Sequence, residues 1–147
     1  DTTHILSAGA VCFARGLNDT PKIIALLLIS PILNLQWSFL MVGVAMLVGG
    51  LISAKKVAET MSLKITKMNP LQGLSANLTT AGLVIFASTI GVPVSTTHVS
   101  VGALFGIGVN NKETNKGLIS LIALSWVLTL PCAALCSSLL YLILAKI

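Results

Sequence analysis

Two short clusters carry residue types that hydrocarbon tolerates only for a purpose. Residues 91–98 read Gly-Val-Pro-Val-Ser-Thr-Thr-His, inside a run of 44 residues (68–111) that lacks Asp, Glu, Lys and Arg. Gly91 and Pro93 break a helix, and Ser95, Thr96 and Thr97 fall where a new one begins, with hydroxyls beside free backbone N–H groups. Donors so arranged suit an oxyanion, which offers only acceptor oxygens. The other cluster places Arg15, Asn18, Asp19 and Lys22 within about two helical turns. Arg15, Asp19 and Lys22, spaced four and three apart, share one face of a continuous helix. Two cations against one carboxylate leave that face net positive, so a substrate anion would complete the balance. Asn18 and Asp19 also offer hard oxygen ligands to a small cation. His98 reads either as a proton relay or as a histidine packed on a backbone carbonyl, and both readings stay open.

The rest of the chain must hold these clusters in a membrane. At 55% hydrophobic and 9% charged residues, with a mean hydropathy of +0.97, the composition is that of an integral membrane protein. The net charge of +5 is spread over short loops and forms no patch interleaved with aromatics, so nucleic acid is not a partner. Cys12, Cys132 and Cys136 sit in apolar stretches and behave as small hydrophobes. No nucleophile, base and orienter set exists, so no catalytic residue is assigned and the chain is not an enzyme; no cofactor is implied. Beginning at Asp1 without a cationic leader, the chain reads as a mature fragment or a piece of a longer polypeptide.

Three charge-free stretches, residues 23–54, 68–111 and 117–145, organise the spans. The first is too long for one crossing and holds Pro31, Asn34 and Gln36, which predicts a turn there. One helix then runs over about residues 5–33, interrupted near 16–21, and a second over 37–54, with Gly43, Gly49 and Gly50 as a small-residue face. Lysines 55, 56, 64 and 67, and again 112 and 116, place both flanks of the middle stretch on the cytoplasmic side. Everything between must enter and leave by one face, and the part after the break spans only about 22 Å against a core of about 30 Å. A re-entrant helical hairpin over about 70–109, its tip buried near the midplane, fits better than two crossings. Gly102 and Gly106 would let its second arm pack closely on a neighbour. The last span covers 118–143, kinked at Pro131. The expected fold is therefore all-α: three spanning helices plus a re-entrant hairpin in a single repeat, 1–147. Three crossings put the chain ends on opposite sides, so a tandem copy would insert upside down, as in inverted-repeat transporters.

The segment 13–22, Phe-Ala-Arg-Gly-Leu-Asn-Asp-Thr-Pro-Lys, resembles the Gly-x-Asn-Asp signature of the inorganic phosphate transporter (PiT) family. Residues 91–98 resemble that family's Gly-x-Pro-Val-Ser-Thr-Thr-His signature, and the two stand at the right distance over nearly the whole chain, most like the C-terminal repeat. The resemblance implies symport of inorganic phosphate with Na+ or H+ across the cell membrane. It assigns phosphate contacts to Ser95, Thr96 and Thr97, and cation coordination to Asn18 and Asp19; Arg15 and Lys22 are added here as candidate anion contacts. Asn77 stands where many relatives have Glu, and Arg15 where many have His, which makes Asn77, with His98, a candidate proton or supporting residue. The partners implied are inorganic phosphate, the bilayer and a second inverted repeat, whether fused, separate or an antiparallel copy. A permease for sulfate or another oxyanion, an anion channel and a non-transporting assembly subunit remain alternatives.

Overall fold

Every helix after the first starts at a side chain that supplies the acceptor its first turn lacks, a requirement that becomes strict where no water can serve. The computed structural model describes residues 2–29, 34–112 and 114–145. Its helices are α1 (Thr2–Leu27), α2 (Leu35–Glu59), α3 (Pro70–Thr89), α4 (Thr96–Asn111) and α5 (Lys116–Leu144). Asn34 caps α2 by accepting from Trp37 N at 3.0 Å, and Asn115 caps α5 by accepting from Leu118 N at 3.0 Å. At α3, Asn69 and Gln72 form a reciprocal capping box, with Pro70 as the first helical residue. Ser95 caps α4, its hydroxyl accepting from His98 N at 3.3 Å.

Several boundaries differ from the sequence reading. α1 runs without interruption through Pro21, overturning the break expected over 16–21. Proline removes one donor from the helical ladder, a loss that helices packed among neighbours accommodate. Pro31, the expected turn, lies outside the described residues. α2 extends past residue 54 and passes into a π-helical turn, Thr60–Lys64, so most of the lysine-rich segment is helical. Lys and Glu are good helix formers, and Thr60 and Ser62 donate back to the carbonyls of Lys56 and Ala58. α5 continues through Pro131 from Lys116 to Leu144.

The chain divides into two units, residues 1–114 and 115–147. In the first, α1 packs along α3, α3 along α4, and α1 against α2. Ala14, Ala81 and Val84 form its core, flanked by Ala10, Val11, Ile85, Val94 and Val99. Small residues at this seam let α1 and α3 approach closely. Beside this apolar core several polar side chains, Ser7, Asn18, Ser38, Thr80 and Thr96, are buried, while many large hydrophobics, among them Leu6, Leu51, Ile52 and Leu71, are exposed. That pattern suits a chain whose solvent is lipid or another helix. The second unit is α5, which buries none of its residues. The segment Leu35–Lys64 and α5 are each long and apolar enough to cross a membrane.

α3 and α4 form an antiparallel hairpin. Gln72, at the start of α3, exchanges side-chain hydrogen bonds of 2.9 and 3.1 Å with Asn111, at the end of α4. At the other end α3 closes on Gly91 at φ +72°, with Gly91 N bonded to Ser88 O and Val92 N to Ala87 O. This is a Schellman closure, and it explains why glycine stands there.

Candidate functional site

At the hairpin tip the chain is non-helical over residues 90–95, whereas Thr96 and Thr97, expected within the unwound stretch, already belong to α4. A break in a helix strands backbone groups, and at Val94 the stranded groups are met by α1. Asn18 Nδ2 donates to Val94 O at 2.6 Å, and Val94 N donates to Asn18 Oδ1 at 3.4 Å, so the amide pairs with the main chain in both directions. Lys22 Nζ donates to the same carbonyl at 2.6 Å and to Asp19 Oδ1 at 3.1 Å. Asp19 Oδ1 also accepts from Asn18 Nδ2 at 3.1 Å, and Asp19 Oδ2 from Thr96 Oγ1 at 3.3 Å. Asn18 and Thr96 are buried, whereas Asp19 and Lys22 keep about a third of their side-chain surface open. The two clusters, 76 residues apart in sequence, thus form one latch between α1 and the tip.

The rest of the tip is exposed. Of residues 91–98 only Thr96 is buried and Val94 half-buried, so the expectation of a buried tip is corrected for this chain. α1 covers one side only, the side of Val94 and Thr96. Ser95 and Thr97 face outward, and His98 Nδ1 lies 2.5 Å from Ser95 Oγ, tying the ring to the helix cap. A pocket of about 130 Å3 borders the latch, with Asn18, Lys22, Ser88 and Pro93 among its lining residues.

Arg15 goes elsewhere. The shared face with Asp19 does not produce an ion pair; Asp19 is paired with Lys22, and Arg15 lines a cavity of about 280 Å3 with His4, Asn77, Thr80 and Ser100. Its buried Nε has no hydrogen-bond partner. Asn77, on α3, donates to Ser7 Oγ of α1 at 3.1 Å. No Asp or Glu lines this cavity among the described residues, so the guanidinium charge is not offset there. Gly102 and Gly106 meet nothing within 4 Å that an added Cβ would touch, so the close packing expected of them is not made within the described residues.

Val94 is the group that residue types alone did not single out. Its contribution is a main-chain carbonyl, and the only signal for it was its position after Pro93 in the break. Among the described residues no group of three or more His, Cys, Asp or Glu side chains could hold a metal ion.

Residues 1–137 match the phosphate transporter family. The chain is 38% identical over 150 residues to a protein of Rhizobium meliloti named "Probable low-affinity inorganic phosphate transporter", covering 94% of this chain and 45% of that one. A Bacillus subtilis protein of the same name is 34% identical over 155 residues, covering 98% of this chain and 46% of that one. A stretch of 96 residues is 43% identical to a Mycobacterium tuberculosis protein that carries a phosphate-permease name, covering 65% of this chain and 17% of the relative. The chain thus spans less than half the length of these relatives. No solved structure matches it.

Proposed function

Because the chain belongs to the phosphate transporter family, a family of permeases and not of enzymes, we propose that it works as one repeat of a membrane transporter for inorganic phosphate. In this reading α1, α2 and α5 cross the cell membrane, and α3 with α4 enters and leaves by one face as a re-entrant hairpin. A second, inverted repeat completes the pathway, and transport is coupled to Na+ or H+. The observation that carries the proposal is the latch: Asn18, Asp19 and Lys22 of α1 engage Val94 and Thr96 at the tip. Transporters build midplane sites from discontinuous helices, whose half-helix N-termini face anionic groups and whose unwound carbonyls take the cation.

The phosphate contacts proposed are the start of α4, through Ser95, Thr96 and Thr97, and Arg15, whose Nε has no partner and which lines the same cavity as Asn77. The first supplies hydroxyls and helix N–H groups, the second a full positive charge. The Thr96 hydroxyl donates a hydrogen bond to Asp19 in this structure, so it also links anion recognition to the carboxylate.

The test is uptake of radiolabelled phosphate into vesicles holding the chain together with a complementary repeat. The double variant Thr96→Val/Thr97→Val preserves shape and removes two donors, each worth about 1.5–3 kcal/mol when bonded to a charged group. Phosphate affinity should fall about tenfold or more per lost contact, with insertion intact. Unchanged affinity would move the anion away from the tip. Equal competition by sulfate would broaden the substrate to oxyanions, and absence of uptake from an assembled complex would leave a role in assembly.

A further inference from the structure

The Asp19 carboxylate and the Val94 carbonyl present two oxygens to one point, and that point holds the ammonium of Lys22. A carboxylate with an unwound main-chain carbonyl is the oxygen set that binds small hard cations in membrane transporters. The Lys ammonium is itself a compact point charge on a flexible stem. Here it lies 3.1 Å from Asp19 Oδ1 and 2.6 Å from Val94 O, with Asn18 completing the ring by bonding to the same two oxygens.

We propose that Lys22 is a tethered cation that fills the alkali-ion position between Asp19 and Val94, so that this repeat needs no Na+ there and excludes it. Three features support this. Lys22 is three residues from Asp19 on one continuous helix, so its effective concentration at the carboxylate is that of an intramolecular ligand. Charge is already balanced, one carboxylate against one ammonium, and a second cation would meet like charge at short range. Nor is a spare carboxylate within reach along the hairpin, because residues 60–112 contain no Asp or Glu. The inference rests on the transporter reading for its meaning in transport, but the ion occupancy is measurable without phosphate.

The experiment compares the purified full chain with Lys22→Ala, Lys22→Gln and Asp19→Asn/Lys22→Ala, by binding of radioactive Na+ and by thermal unfolding in NaCl against choline chloride at equal ionic strength. The native chain should bind no Na+ at this site and show the same midpoint in both salts. Lys22→Ala and Lys22→Gln should gain Na+ binding, with a midpoint raised by about 4 °C or more at saturating Na+, and the double variant should lose that gain. Na+ binding by the native chain that disappears in Asp19→Asn would overturn the proposal, as would folded Lys22 variants that bind none. If Lys22→Ala does not fold, Lys22→Gln, which keeps a donor for Val94 O, and the native measurement still decide. Loss of phosphate uptake with these ion results intact would sink the transport reading alone.

Discussion

The latch and the Arg15 cavity are both polar regions built on α1, and they differ in how their groups are spent. At the latch, Asn18, Asp19, Lys22, Val94 and Thr96 satisfy one another and the charges cancel. In the cavity, Arg15 keeps a buried Nε without a partner, and no carboxylate offsets it. An anion reaching the latch must displace bonds already made; one reaching Arg15 gains a bond that the chain leaves unmade. The latch is therefore the part that holds the tip in place, and the cavity the part that holds uncommitted positive charge.

Breaking the latch should have the largest effect. Asn18→Ala removes a buried amide that bonds both backbone groups of Val94, and should cost about 2–4 kcal/mol, read as a lowered unfolding midpoint in detergent. A loss under about 0.5 kcal/mol would mean that the tip is held by apolar packing instead. Next, Arg15→Met keeps the length of the side chain and removes the charge. It should weaken phosphate binding about tenfold, equivalent to about 1.4 kcal/mol, with the midpoint unchanged or raised, since a buried unpaired group is lost. The comparison sharpens with Asn77→Glu, which places a carboxylate in the same cavity: phosphate binding should fall by a similar factor and the latch should stay intact, as judged by an unchanged protease pattern at the tip. If Asn77→Glu instead strengthens binding, the cavity does not receive the anion. The smallest effect is expected at the turn: Gly91→Ala at φ +72° should cost about 1 kcal/mol from backbone strain alone, because no neighbour lies within 4 Å of an added Cβ.

What could be read from the sequence was whatever depends on local chemistry. The break at Gly91 and Pro93, the start of a helix near Ser95 to Thr97, the hairpin arms, the apolar character of α2 and α5 and the two polar clusters follow from residue type and short spacing, which act within a turn or two of the chain. Pro21 was misjudged because a proline's effect on a helix depends on what supports it, and α1 continues through it packed on α3. The lysines after residue 54 mark charge and topology equally well in a helix or a loop, so α2 could extend through them unannounced.

Only the tertiary structure decided which charges meet. Arg15, Asp19 and Lys22 share a helical face, and the sequence treats them as one positive group. Packing of α1 against the hairpin brings the Val94 carbonyl to Lys22, which draws its ammonium into the latch beside Asp19 and leaves Arg15 in a cavity between helices. A main-chain oxygen freed by a helix break has no signature in residue type, and its partner lies 72 residues away. Contacts of that kind are set by how helices cross, because the oxygen accepts from whichever donor packing brings within reach.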